Sequence, residues 1–357
     1  MTEPAPKPSR LRRLCQNLAL FCGTFLLCVA GFEGVLRLNH YGNLEIYDAD
    51  PALYWKLKPN QDCYTKVNRQ PVHINAHGTR GPDFTDRKPA GTFRVLSLGD
   101  SRTFGWGLSE AETYSARLGA LLEARLPGRK VEVINAGVNA WSYPQMLVYL
   151  RETGMRYQPD VVILGEANLW TQFSEKSSPE FARQFMRRVR LKNLLRRFAI
   201  YHYVVEVKLE DFYQRNRSKF IPVDPRKDEL FKDQQQKDPD ALFREAIRGI
   251  CTVAAAGGAK PVIASLPTFD ELIATNPSPV LEVKRAACRD LGAALVDVGP
   301  ALRAQPESAS RHASAGKALY LEGDPVHFTS LGNEIIARQL LEAVAPPSAP
   351  AEPAKAR

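Results

Sequence analysis

Three side chains in this sequence have the types and spacing for acyl transfer: Ser101 in Gly99-Asp100-Ser101, and Asp324 and His327 in Asp324-Pro325-Val326-His327. A serine hydroxyl is a poor nucleophile until an imidazole takes its proton. The imidazole serves best when a carboxylate fixes its tautomer and steadies the imidazolium. Asp324, in the same loop as His327, can supply that carboxylate. The oxyanion formed by attack needs N–H donors aimed at it, for which the candidates are the backbone N–H groups of Ser101 and Gly137 and the side-chain amide of Asn168. Each residue also has a plainer use: Asp100 and Ser101 can cap a helix, Asp324 and Gly137 can make turns, and His327 can lie on the surface. Their occurrence together, in correct chain order and at the ends of the predicted strands or the loop that returns to that edge, favours chemistry.

Residues so far apart meet only if the fold collects their loops. The run 93–98 is apolar without a turn signal and predicts a strand buried on both faces, with Gly99 letting the chain turn sharply at its end. Further strands are predicted at 131–136, 161–164, 261–265 and 294–298, alternating with helices at 112–126, 144–153, 240–256 and 279–291. A closing helix follows at 331–344, capped by Thr329 or Ser330. This alternation predicts a flavodoxin-like three-layer α/β/α fold with a five-stranded parallel sheet and right-handed crossovers. In such a sheet every strand C-terminus lies on one edge, so Ser101, Gly137, Asn168 and the Asp324/His327 loop converge there.

Residues 14–36 are predominantly apolar, with Gln16 and Asn17 near the start and Glu33 near the end. The run is long enough for a transmembrane helix of about 20 residues. Lys7, Arg10, Arg12 and Arg13 mark its N-terminal side as cytoplasmic, placing the remainder on the periplasmic or extracellular side of a single-pass protein. A cleaved signal peptide is the competing reading, weakened by the length of the run and the lack of a small-residue cleavage site. The expected plan is a basic cytoplasmic tail (1–13), an anchor (14–36), an extended lead-in (37–90), a catalytic domain (91–345) with a helical insert or cap at 171–238, and a disordered Pro/Ala-rich tail (346–357).

The net charge of +9 is unevenly spread and forms no stripe with interleaved base-stacking residues, which argues against nucleic acid. Between residues 181 and 200 stand six Arg, one Lys and no acid. A solvated amphipathic cap helix, with Phe185, Val189, Leu191, Leu194, Leu195 and Phe198 facing the domain, is favoured there over a membrane-surface or acidic-glycan contact. The six cysteines show no metal or redox spacing, and Cys251 and Cys288 read as small buried apolar residues rather than a disulfide. His73 and His77 lack partners at metal spacing.

The motifs resemble those of the SGNH (GDSL-type) hydrolase superfamily, in particular its membrane-anchored bacterial members. Gly99-Asp100-Ser101 is similar to the first block, Asn135-Ala136-Gly137 to the second, Asn168 to the third and Asp324-Pro325-Val326-His327 to the last. Ile74-Asn75, Gly78 and Arg80-Gly81 resemble the lead-in of anchored members. The resemblance covers about residues 70–345 and implies Ser101 as nucleophile, His327 as base and Asp324 as its orienter. It also implies an oxyanion hole of Ser101, Gly137 and Asn168, and a reaction without metal or organic cofactor. No G-x-S-x-G elbow is present.

The third block departs from the family pattern Gly-x-Asn-Asp, reading Glu166-Ala167-Asn168-Leu169. A carboxylate there is expected to narrow the pocket, repel anionic substrates or weaken the enzyme. By analogy with anchored members, the substrate is an acylated carbohydrate or lipid-linked envelope molecule, with an acetyl group removed or transferred and envelope polysaccharide-modification proteins as partners. A non-catalytic envelope protein for glycan binding or assembly, and a lipase or thioesterase, remain as alternatives.

Overall fold

The computed structural model describes residues 10–42, 47–65, 68–167, 179–209, 212, 239–276, 278–306 and 318–346. The chain divides into two compact units, Met1–Leu44 with Lys192–Ile221, and Glu45–Leu191 with Pro222–Arg357.

The larger unit begins with two antiparallel pairs, β1 (Tyr47–Asp50) with β2 (Tyr54–Leu57) and β3 (Gln61–Tyr64) with β4 (Pro71–Ile74). Five parallel strands follow: β5 (Phe93–Gly99), β6 (Val131–Gly137), β7 (Val161–Leu164), β8 (Lys260–Ser265) and β9 (Ala294–Asp297). Their order is β6-β5-β7-β8-β9, which puts β5, and hence Ser101, between two neighbours. The five-stranded parallel sheet expected from the sequence is therefore present.

Alternate residues of these strands feed two cores, as a sheet covered on both faces requires. Leu96, Leu98, Ile134, Val162, Leu164 and Ile263 belong to one core cluster. It also includes residues of α4 (Tyr143–Glu152), α7 (Pro239–Ala256) and α9 (Pro279–Leu291). Val95, Val161, Ile163, Val262 and Ala264 belong to the other, together with residues of α3 (Tyr114–Arg125) and α11 (Ser330–Val344). The shorter helices are α2 (Ser101–Phe104), α8 (Phe269–Ile273) and α10 (Gly299–Arg303).

The helix ends follow local chemistry. The helix expected from residue 112 is broken at Thr113, whose extended backbone lets its hydroxyl accept from Ala116 N and cap α3, leaving Glu110–Glu112 as a separate 3-10 turn. Thr329, not Ser330, caps α11 by accepting from Gly332 N. α9 ends at Gly292, whose φ of +63° is the left-handed conformation glycine tolerates.

In α5 (Pro179–Leu195), Phe185 lies 5.0 Å from the Trp55 ring and 6.3 Å from that of Tyr54, and with Val189 it packs on the core. Leu191, Leu194 and Phe198, expected on the packed face, are exposed. Most of the expected insert beyond residue 209, and the tail beyond 346, lie outside the described residues.

The smaller unit holds α1 (Arg10–Leu38), which by length and composition can cross a membrane, and α6 (Ala199–Tyr201), which continues as a π-helical turn, His202–Leu209. All six cysteines are free, with Cys63, Cys251 and Cys288 buried. His73 and His77 each bond a carboxylate at 2.7 Å, Asp62 and Asp86 respectively.

Candidate active site

A four-residue helix cannot hold itself together, so α2 owes its position to its surroundings. Asp100 caps it, accepting from Arg102 N at 2.9 Å, while its own N–H donates to Glu166 O at 2.8 Å. The Asn135 amide donates to Thr103 O at 2.9 Å. Buried Arg80 donates to Phe104 O and Gly105 O, each at 2.9 Å, and to Leu108 O at 2.6 Å. Tyr114 OH donates to Thr103 Oγ1 at 2.9 Å, and Asn333 Oδ1 in turn accepts from Tyr114 N at 3.0 Å. The helix is thus fastened to β6, the lead-in, α3 and α11.

Two glycines let α2 settle this close to the strand ends. A Cβ at Gly99 would lie 1.9 Å from Thr103 Oγ1, and one at Gly137 would lie 2.2 Å from Phe104 N. Neither has a positive φ, so Gly99 serves close approach rather than the sharp turn expected of it.

Ser101 opens α2, and 226 residues further on His327 Nε2 stands 2.7 Å from its Oγ. His327 Nδ1 is 2.6 Å from Asp324 Oδ2, while the other carboxylate oxygen accepts from Val326 N at 2.8 Å and His327 N at 3.1 Å. An ionised carboxylate only accepts, so Nδ1 carries the proton and Nε2 presents its lone pair to the serine hydroxyl. Burial pushes the Asp324 carboxyl upward, but the hydrogen bonds and charge of His327 and the two backbone donors outweigh it and hold it below the usual carboxylate range. The Trp106 ring lies 5.8 Å from the His327 ring, tilted by 33°, and is part-exposed.

Such a line of groups can remove a hydroxyl proton and return it to a leaving group. Among the described residues none accepts the Ser101 N–H, which leaves it for a developing oxyanion. The Gly137 N–H donates to Asn135 Oδ1 at 3.0 Å. Its lack of a side chain serves the packing against α2. On the same loop Ala140 holds a left-handed φ of +64°, a conformation costly for alanine that sequence reading did not anticipate. Asn168 and Leu169 lie outside the described residues.

Glu166 is turned into the protein. Its side chain is buried, with Oε1 2.6 Å from Lys284 Nζ and accepting from Leu266 N at 2.9 Å, while Tyr143 OH donates to Oε2 at 3.2 Å. The carboxylate is matched inside the protein rather than offered to a substrate. Burial works against its charge, yet Lys284 and Arg102 hold its pKa below the usual range. Arg102, raised above its ordinary value by Asp100 and Glu166 despite burial, pairs with Asp100 Oδ2 at 2.7 Å. Its guanidinium also reaches Ala167 O at 3.3 Å and Leu266 O at 3.2 Å, joining the loops after β7 and β8. A cavity of about 400 Å³, lined by residues of α3, β6, the lead-in including Arg80, and Glu110 of the 3-10 turn, contains none of Ser101, Asp324 and His327.

A family model for GDSL-like lipase/acylhydrolases matches residues 97–335, which runs from within β5 to within α11 and encloses all three groups. The chain belongs to the GDSL-like lipase/acylhydrolase family. No curated protein matches it. Solved structures similar to this family member include an α/β hydrolase from the metagenome of Lake Arreo, Spain (16% identity, 71% of this chain and 94% of that one, TM-score 0.42). A catalytic mutant of an acetylxylan esterase from Geobacillus stearothermophilus is 13% identical over 71% of this chain and 94% of its own, with a TM-score of 0.42. The lipase/acylhydrolase from Enterococcus faecalis is 14% identical over 70% and 94%, also with a TM-score of 0.42. As a GDSL-like acylhydrolase the chain has an esterase or hydrolase framework.

Proposed function

We propose that this protein is a membrane-anchored serine esterase that removes, or transfers, a small acyl group such as acetyl on a carbohydrate or lipid-linked envelope substrate. The observation that carries the reading is the continuous line Asp324–His327–Ser101, with contacts of 2.6 and 2.7 Å. Ser101 Oγ attacks the acyl carbonyl as His327 Nε2 takes its proton, and Asp324 steadies the imidazolium. The Ser101 N–H donates to the oxyanion, and the Asn168 amide is proposed as a second donor. Collapse expels the substrate alkoxide, protonated by His327, and leaves an acyl-serine. Water or a sugar hydroxyl, deprotonated by the same imidazole, then resolves the ester, giving hydrolysis or transfer respectively.

The carbohydrate assignment is supported by the part-exposed Trp106 ring beside His327, whose flat face can receive the apolar side of a sugar ring. The anchor assignment is supported by α1, and the basic N-terminal flank favours a catalytic domain on the periplasmic or extracellular side.

The test is hydrolysis of p-nitrophenyl acetate, butyrate and octanoate by the detergent-solubilised chain, with Ser101→Ala alongside and with a sugar acceptor added in a parallel series. Ser101-dependent turnover that favours acetate is expected, and acceptor-dependent acylation assigns transfer. Preference for octanoate identifies a lipase. Failure of both turnover and labelling of Ser101 by a serine-directed phosphonate, in folded protein, overturns the esterase reading.

A further inference from the structure

The smaller unit contains more than a helix of membrane-spanning composition. At 1.5 Å per residue, the 29 residues of α1 span about 43 Å, longer than the roughly 30 Å of a hydrocarbon core. Counting about 20 residues from Leu14 brings the far boundary close to Glu33. The chain returns to α1 at this level. Glu33 Oε1 accepts from Ala199 N and Oε2 from Ile200 N, both at 2.9 Å, so an acid of α1 caps α6. Arg37 donates to Glu33 Oε1 at 2.8 Å and to Arg197 O. Beyond the helix, Gly42 N donates to His202 Nδ1 at 2.8 Å. Tyr203 meets Phe32 and Tyr41 edge-on, with ring centroids 6.0 and 5.2 Å apart.

These contacts set residues 197–203 at the level where α1 leaves the hydrocarbon, and the side chains around them have a composition fitted to that depth. Leu194, Phe198, Val204, Val205 and Leu209 are 37–55% exposed. Between and beside them stand Lys192, Arg196, Arg197 and Lys208, and from residue 181 to 209 the sequence has one acid, Glu206. A second copy of the chain would bring like charges together over this surface. Lipid phosphates supply the opposite charge, and the acyl boundary accepts the apolar side chains. Aromatic rings at this level match the interfacial belt of membrane proteins.

We infer that residues 194–209 form an interfacial foot that docks on a lipid surface bearing anionic phosphate head groups, around the outer end of α1. The inference rests on the reading of α1 as a retained anchor, and it adds a second, peripheral membrane contact to the span. Phe198 and its neighbours enter the head-group and acyl boundary, and Arg196 and Arg197 meet phosphates.

The experiment uses the full chain reconstituted in phosphatidylcholine vesicles with and without phosphatidylglycerol. Nitroxides are placed singly at the native Cys22, at Phe198→Cys, at Val205→Cys and at exposed Arg338→Cys, with the other exposed cysteines replaced by alanine. Collision with oxygen and with a water-soluble nickel complex reports depth. The expected result is a Cys22 label in hydrocarbon, and labels at 198 and 205 about tenfold less accessible to nickel than the label at 338, as insertion to the acyl boundary requires. Phosphatidylglycerol deepens the labels at 198 and 205, and the combined Arg196→Gln and Arg197→Gln variant removes that response. A buried Cys22 label with nickel-accessible labels at 198 and 205 overturns the foot and leaves the anchor standing. Nickel access at all four positions, or loss of residues 1–36 from the mature chain, overturns the anchor itself and the foot with it. Equal depth in the two lipids overturns the assignment of phosphate as the partner of Arg196 and Arg197.

Discussion

Lys284, fully buried on α9, holds its ammonium 2.6 Å from the Glu166 carboxylate at the end of β7, and it also donates to Ala264 O at 2.7 Å. The pair fastens the loop that leads to Asn168. Removing one partner leaves the other charged and unmatched in the interior, which costs about 3–5 kcal/mol. Lys284→Met and Glu166→Gln are each expected to lower unfolding free energy by that order in urea titrations. The double variant is expected to recover much of the loss. Additive losses in the double variant would show that the two groups are not coupled.

Asp324→Asn replaces the acceptor of the Nδ1 proton with an amide of similar shape, which favours the wrong histidine tautomer. A fall in kcat of about 10³–10⁴-fold with the native fold retained is expected, the size of effect such a substitution has in serine triads. Steady-state kinetics on the acetate ester checks it; a fall below tenfold would remove Asp324 from the proton relay.

The same carboxyl has a consequence for stability against pH. Its folded pKa lies below the unfolded value of about 3.9, so the folded state binds the proton less readily than the unfolded chain. The stability it contributes is present above about pH 4 and is lost as pH falls through the folded value. Unfolding free energies of the wild type and Asp324→Asn are expected to differ at neutral pH and to converge on acidification. Parallel curves would contradict the assignment.

Arg80→Gln removes three charge-assisted hydrogen bonds to the carbonyls at and beyond the end of α2. A loss of about 2–3 kcal/mol in stability is expected, together with a fall in kcat larger than any change in KM, because Ser101 loses its placement rather than the substrate its contacts. The comparison with Lys at this position is informative: a single ammonium cannot reach all three carbonyls, so Arg80→Lys is expected to recover only part of the activity.

Gly137→Ala tests close approach separately from donation. A methyl there meets Phe104 N at 2.2 Å and must displace α2. Destabilisation of about 1–3 kcal/mol with loss of turnover is expected, measured by thermal unfolding alongside the ester assay.

The five sheet strands were legible because each is a short apolar run, and α9 because Ser278-Pro279 and Gly292 mark its ends. The lead-in was less legible. Its four strands have four residues each, and β1–β3 carry Asp, Gln and Lys, so pairing depends on the partner strand more than on local pattern. Ser101, Asp324 and His327 were legible as types at strand ends, and the structure brings them together. The direction of the Glu166 side chain was not, because its partner lies 118 residues away. A signal existed: Lys284 shares a helix face with buried Ala287 and Cys288, an unusual place for an ammonium without a buried acid. The close approach of α2 to Gly137 was not legible, because a glycine kept for packing and a glycine kept for donation look identical in a sequence.

Asp324 and His327 occupy one turn, and the Asp324 carboxylate takes three hydrogen bonds within it, from Val326 N, His327 N and His327 Nδ1. Acid and base therefore travel as a single rigid piece. A displacement of that turn that keeps these bonds preserves the imidazole tautomer and lengthens the 2.7 Å link to Ser101, with the Phe269 N–H bond to Pro325 O another contact it must carry. The nucleophile can be engaged or released without dismantling the base, so a shift of about an ångström at one turn is a complete on–off setting for this chemistry.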